Sequence, residues 1–524
     1  MPAAKSAYYA LSNPLSVLLD KPPHGFQRKD LLKVIAEKGI ERITFHYSGL
    51  DSKLKELRIP VVSPLQAETI LAEGERVDGS SIFKGMVDAG LSDLYVVPVY
   101  RTAFLNPFDE RSLDFICRYL TKDGALAPFA PDNILARAVG LLEAATGLEL
   151  RALGELEFYV LSEPGKNLYP ARRQRAYHAS GPFVKSGPVL NDMLHHIAQL
   201  TGAVKYGHSE VGFIESVQSE VEEIRGKRAE QVEIELLPRP IGDMADDVVL
   251  ARWLIRNIAY RNGLVATFTP KLEEGVAGSG MHFHLDLRRE GRNVLVGPDG
   301  SLSEEARRLI GGLCEYAGSL TAFGNTIASA YLRLVPNQEA PTRICWSDLN
   351  RSALIRVPLG WANLPHLSRI LNPQDTEPFR PGDSRQTVEL RSPDGSASIH
   401  LLLAGMTMAA DWGFRDLPSS LFSEEKALSL AEKLYVRGNI FADPELLQRL
   451  PVLPSSCVAS GRLLLEKRGL YEREGIFPPS VVEYMAKQLE AEDDEFLNAK
   501  ILARPADDRQ AETRRIMHKD LHKH

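Results

Sequence analysis

Apolar and polar positions alternate in ERITFHY (41–47) and SDLYVVPVY (92–100), a period of two that predicts half-buried strands. A helical spacing covers 28–38, DGSSI at 78–82 reads as a turn or loop, and Asn106-Pro107 as a turn. Further on, PDNILARAVGLLEAATG predicts a helix, as do 190–200, 243–261 and 303–330, while strands fall at 152–161, 231–237, 264–269 and 281–287. Small apolar residues at 397–412 suit a closely packed helix. The mixture is α+β rather than a βαβ repeat. The expected division is an N-terminal extension (1–23), a small domain (24–110), a large catalytic domain (111–422), a helical extension (423–503) and a flexible polar tail (504–524). The charged stretch EVEEIRGKRAE at 220–230 is expected to be a solvent-facing insertion.

Composition narrows the classes. The 524 residues carry a net charge of −7, too little positive charge for a general nucleic-acid binder. The start MPAAKSAYYALSNPLSVLLDKPP lacks the apolar block of a signal peptide, and no run reaches the roughly 18 apolar residues that span a bilayer, so no membrane partner and a cytoplasmic location are expected. Cys117, Cys314, Cys345 and Cys457 are too scattered for a zinc knuckle or redox pair and read as reduced, mostly buried thiols.

Three strands carry unusual charge. Glu155 and Glu157 in GELEFYV share one strand face, Glu233 and Glu235 in QVEIELL repeat the arrangement, and His282, His284 and Asp286 align in MHFHLDL. Any one segment alone reads as a half-exposed strand with solvated charges; three in one chain ask for a common cause. Carboxylates held together repel unless a cation lies between them. Several Glu with His fit Mg²⁺ or Mn²⁺ better than structural zinc. Arg333, Arg351, Arg356 and Arg391 add planar donors suited to phosphate or carboxylate, although singly each also suits a surface ion pair. Together the two sets are the electrostatic equipment of phosphoryl transfer.

In order, DGSSI, GELEFY, GHSEV, ATFTPK, GSGMHFH, RLVPNQEAP, NRSALIRVP and VELRSPD resemble the signature blocks of the glutamine synthetase family, over residues 40–412 and more faintly at 24–39. The chain is similar to a divergent class I-like member of bacterial or archaeal type. The resemblance implies a β-grasp-like N-terminal domain, and a catalytic domain with a curved antiparallel sheet and surrounding helices. It implies two Mg²⁺ or Mn²⁺ ions, ATP as co-substrate, L-glutamate and ammonia as substrates, and a homododecamer with active sites between subunits. Glu157, Glu210 and Glu233 would hold the metal on the glutamate and ammonia side; Glu155, His282 and Glu389 would hold the second, which serves ATP. Arg333 and the backbone around Gly278 would bind glutamate, Arg351 and Arg356 would steady the transferring phosphoryl group with Arg391 beside them, and His284 would contact the nucleotide. Glu339 would be the flap carboxylate that shields the intermediate, and Asp78 the ammonium-binding group supplied by a neighbour.

The chain also departs from the family pattern. Ala277 replaces the usual substrate-contacting asparagine before GSGMH. Glu210 and Glu233 lie farther apart than usual, leaving Glu215 and Glu220 as competing ligands. Thr387 stands where an arginine is common, with Arg385 a compensating candidate on the nucleotide side. No counterpart of the adenylylated tyrosine is found. An amine acceptor other than ammonia, or a non-catalytic scaffold, are the alternatives.

Overall fold

In a computed structural model, which describes residues 8–523 apart from 167, 336–339, 361–366 and 379–381, the alternation of ERITFHY becomes strand β1 (Arg42–Ser48). With β2 (Leu54–Pro60), β3 (Glu75–Asp78), β4 (Asp93–Pro98), β5 (Phe104–Leu105) and β6 (Ser112–Leu120) it forms a six-stranded sheet in the order β2-β1-β6-β4-β3, with β5 on β6. Only β1 and β6 run parallel, which sets Phe45 beside Phe115 in the core. This is the small β-grasp-like domain.

The larger domain is built on a curved, ten-stranded and almost wholly antiparallel sheet. It comprises β7 (Glu149–Ser162), β8 (Val204–Ile214), β9 (Arg228–Leu236), β10 (Arg239–Pro240), β11 (Val265–Thr267), β12 (Phe283–Arg289), β13 (Arg292–Asn293), β14 (Trp346–Asp348), β15 (Ile355–Val357) and β16 (Val388–Leu390). The main path is β14-β15-β16-β12-β7-β9-β8. Along β7, Leu156 and Phe158 are buried in the core while Glu155 and Glu157 face a cleft. Helix Ile241–Arg261 packs on β7, and helices Pro131–Thr146, Glu304–Gly324 and Ile399–Gly413 complete the core. The small-residue pattern at 397–412 serves this packing: a Cβ on Gly312 would collide with the carbonyl of Ala409 on the facing helix.

Several expectations need correction. DGSSI, read as a turn or loop, is a short helical turn, Gly79–Ile82, N-capped by Asp78, whose Oδ1 accepts from Ser80 N at 2.9 Å. The helix expected over 303–330 stops at Gly324, where Asn325 leaves helical geometry and turns its amide to Ser392 O (2.8 Å) and Asp394 Oδ2 (2.7 Å). The charged stretch is only partly solvated: Glu230 already lies in β9, is buried, and accepts from the backbone N–H groups of Lys185 and Ser186, each at 2.8 Å. Residues 504–524, expected to be flexible, contain the helix Ala506–His518, with Thr513, Ile516, Met517 and His518 buried against the catalytic domain. All four cysteines are buried and unbridged.

Candidate active site

The strand register explains the charge. Glu155 pairs directly with Glu235 and Glu157 with Glu233 across β7 and β9, while His208 on β8 faces Glu233. Like charges on directly opposed residues are destabilising on their own. On the other side of β7, His284 of β12 pairs with Glu389 of β16, and Glu389 with Arg356 of β15. These residues line one cleft of about 1570 Å³, which also takes in Glu210, Gly278, Ala277, Arg333, Arg351, Arg385 and Arg391. That is room for a nucleotide and an amino acid together.

Among the described residues, three groups of side chains bring ligand atoms within 4.8 Å of one another: Glu155, His282 and Glu389; Glu155, Glu235 and His284; and His208, Glu210 and Glu233. The first is the trio expected for the second metal. The third contains two of the three residues expected for the other metal, with His208 beside them in place of Glu157. Glu157 lines the same cleft, its Oε2 accepting from Gly280 N at 2.7 Å. Glu215 and Glu220 are exposed and do not line the cleft, so Glu210 is the carboxylate the fold turns inward.

The electrostatics divide the cleft. His282 Nδ1 lies 2.8 Å from Glu155 Oε2 and His284 Nε2 lies 2.9 Å from Glu155 Oε1. Burial opposes ionisation of Glu155, but His284 and His282 outweigh it and hold its carboxyl well below the usual range. Arg356 donates to Glu389 Oε2 at 2.8 Å and Arg391 to Glu389 Oε1 at 3.1 Å. Glu389 is likewise lowered against the opposing effect of burial, chiefly by His284 and Arg391. Glu233 goes the other way: burial first, then Glu155, Glu157, Glu210 and Glu235, push its carboxyl up to about 11. Glu157 is raised as well, by burial. A crowded, oxygen-rich end that resists ionisation, with imidazoles and no thiolate, suits a hard divalent cation.

Arg333 is 6% exposed and is held by Ser392 O at 2.9 Å, with its Nη2 3.4 Å from His282 Nε2. Gly278 sits against it: a Cβ there would lie 2.7 Å from Pro270 O and 2.9 Å from Arg333 Cγ, so only glycine leaves the guanidinium its place. Ala277 contributes backbone alone, its N–H donating to Gln174 Oε1 at 3.0 Å and its carbonyl accepting from Tyr159 at 2.7 Å. Thr387, read from sequence as a loss, places its hydroxyl 3.0 Å from His284 Nδ1 and orients that ring. Arg351 and Arg385 are exposed at the mouth of the cleft. Asp78 does not line the cleft of its own chain; it is exposed, and the hydroxyls of Ser81 and Ser80 lower its pKa. Glu339 lies outside the described residues.

Sequence reasoning passed over His208, which alternates with Glu210 in GHSEV and was visible there. It named Glu235 but gave it no role. Rings gather at this end too: His208 stands 4.1 Å from His178, whose ring is 4.3 Å from that of Tyr177.

A cleft that gathers carboxylates, imidazoles and arginines on one antiparallel sheet is built for divalent cations and phosphate. The chain belongs to the glutamine synthetase family: the family description "Glutamine synthetase, catalytic domain" matches residues 129–417, and "Glutamine synthetase, beta-Grasp domain" matches 39–122. It is a divergent member. The glutamine synthetase of Methylococcus capsulatus is 28% identical over 465 residues, covering 79% of this chain and 92% of the relative. That of Pyrococcus horikoshii is 29% identical over 399 residues, covering 76% and 80%. Among solved structures, Plasmodium falciparum glutamine synthetase superposes with a TM-score of 0.69 at 19% identity, covering 92% of this chain and 98% of that one. A structure described as apo GmaS without ligand gives 0.66 at 20% identity, covering 90% and 97%. Membership carries the superfamily's type of chemistry, ATP-dependent γ-glutamyl ligation. Among the described residues, no helix is long and apolar enough to cross a membrane.

Proposed function

We propose that the chain joins ammonia to the γ-carboxylate of L-glutamate at the expense of ATP, through γ-glutamyl phosphate, giving glutamine, ADP and phosphate. The observation that carries this reading is the convergence of Glu155, His282 and Glu389 at one point of the cleft and of Glu210 and Glu233 at another, flanked by Arg333, Arg356 and Arg391.

In this reading Glu155, His282 and Glu389 hold one Mg²⁺ or Mn²⁺, and Glu210 and Glu233, with Glu157 lining the same cleft, hold a second. When bound, the two ions supply charge neutralisation for phosphoryl transfer. Arg333 and the Gly278 backbone receive the carboxylates of glutamate. Arg351 and Arg356, with Arg391 braced by Glu389, face the phosphoryl oxygens as negative charge develops. His284, oriented by Thr387, meets the nucleotide, and Arg385 stands at the entrance. A free carboxylate is a poor acyl donor; the acyl phosphate, a mixed anhydride, carries phosphate as a good leaving group, which ammonia displaces at the acyl carbon. The carboxylates near Glu210 favour ammonium over anions, and a neighbouring base must take its proton before attack; Asp78 and Glu339 are the proposed groups. Asp78 is exposed and does not line its own cleft, which supports a homo-oligomer, a dodecamer by family likeness, in which it serves the neighbouring protomer's site. Particle mass in solution tests this, and a stable monomer would contradict it.

A second reading, another primary amine as acceptor, is favoured by Tyr177 and His208, whose rings line the cleft beside Glu210 and Glu233. Mass-spectrometric identification of the product formed with ammonia and primary amines in competition decides between them. Glutamine as the dominant product supports the first reading, and a substituted γ-glutamyl amide supports the second.

The substrate wall gives a narrower test. Gly278→Ala should push Arg333 aside and raise the KM for glutamate by about tenfold or more while sparing the KM for ATP. Initial rates of phosphate release read both constants; an unchanged glutamate KM would remove Gly278 from the substrate wall.

A further inference from the structure

Residues 268–282, the loop between β11 and β12, carry Ala277, Gly278 and His282 into the cleft. The loop is braced by Gln231, which lines the cleft and whose amide donates to Gly278 O at 3.0 Å, and by the buried Tyr159 through the carbonyl of Ala277. From the far side it is held by the C-terminal segment, which lies outside the residues matched by the catalytic-domain family. Thr267 donates to Leu521 O at 2.9 Å, Thr269 donates to Met517 O at 3.1 Å, and Arg514 Nε lies 2.9 Å from Glu273 Oε2.

At the centre is His518, 3% exposed. Its Nε2 lies 2.8 Å from Leu272 O and its Nδ1 2.9 Å from Ser219 Oγ, in the segment that lengthens the path from Glu210 to Glu233. A carbonyl can only accept, so Nε2 carries the proton and Nδ1 accepts from Ser219. Burial favours this neutral ring by lowering the His518 pKa. Leu521 joins Leu272, Val276, Val217, Ile224 and Ile214 in a small apolar cluster separate from the main core. The far end is pinned where Lys519 and Lys523 meet Glu492 at 2.8 and 2.9 Å.

We propose that the C-terminal helix is a strap that fixes the 268–282 loop for the acid substrate, with His518 as its positioning residue. The inference rests on the glutamate reading above. It assigns one role to the long Glu210–Glu233 connection and to the C-terminal helix, which meet at His518 and Ser219 beside the loop.

The test uses the full-length protein, its His518→Ala and His518→Gln variants, and Arg514→Met, which cuts one tie at a partly exposed position and so guards against a variant that fails to fold. Hydrogen exchange is read over the loop and over β7, alongside KM for glutamate and ATP and kcat. His518→Ala should speed exchange in the loop but not in β7 and raise the glutamate KM about tenfold, with kcat and the ATP KM within about twofold. His518→Gln, whose amide still donates to Leu272 O, should recover most of the loss, and Arg514→Met should show a smaller change of the same kind. Unchanged loop exchange, or equal losses in kcat and both KM values, would overturn the strap. Should the wild-type protein release no phosphate with glutamate, the glutamate reading fails, and loop exchange alone decides whether the strap stands.

Discussion

Replacing Glu155 by alanine is expected to lower turnover by about a thousandfold or more while leaving the fold intact. Glu155 is common to two of the three ligand groups, and the imidazoles of His282 and His284 both turn to it. Its removal takes a donor from the ATP-side site and leaves His282 and His284 without the carboxylate that orients them. The scaffold should survive, because the alanine removes one charge from a row in which Glu155 opposes Glu235, and relief of that repulsion offsets lost contacts. Phosphate release and thermal melting, measured together, check both halves. Wild-type turnover in a folded variant would exclude Glu155 from the chemistry.

The second large effect is a linkage between protons and divalent ions. Glu233, driven up to about 11 by burial and its acidic neighbours, keeps its proton in the metal-free folded protein, whereas the unfolded chain releases it near the ordinary value of 4.5. A folded-state pKa raised in this way stabilises the protein below the unfolded value, and the contribution is lost as pH rises toward the folded value. Metal-free protein should therefore become less stable between about pH 6 and about pH 9 through this group, whereas Mn²⁺ displaces the proton and removes the penalty. The gap in melting temperature between Mn²⁺-loaded and metal-free protein should widen across that range. Calorimetry in buffers of different ionisation enthalpy should register proton release on binding. A gap independent of pH, with no proton released, would contradict a cation at Glu233.

Much of this site was legible in the chain because strand alternation is local. GELEFYV and QVEIELL announce paired carboxylates on one face, and the eight ordered blocks identify the elements that carry them. What was not legible is register. Whether His208 or Glu157 stands closest to Glu210 and Glu233 depends on the irregular pairing of β8 with β9 between Ser209 and Phe213, which no local pattern encodes. The polar tail misled for a related reason. Its buried residues, Thr513, Ile516, Met517, His518 and Leu521, form too sparse a stripe to read as an amphipathic helix, and their partners at 267–273 lie some 250 positions away in sequence. Glu230 looked solvated because its burial comes from capping backbone groups at 185 and 186, a tertiary contact that overrides the composition of its segment.

The central claim is that clustered carboxylates and imidazoles hold divalent ions against ATP so that an acid is activated for amide formation. Its most direct test is a single incubation of the protein with ATP, L-glutamate, ammonia and Mg²⁺ or Mn²⁺, with phosphate and products quantified together. One phosphate released for each γ-glutamyl amide formed, abolished by chelation and restored by the metal, is the expected result. A folded, metal-loaded protein that releases no phosphate with ammonia or with any primary amine, or that forms the amide equally well after chelation, would contradict the account.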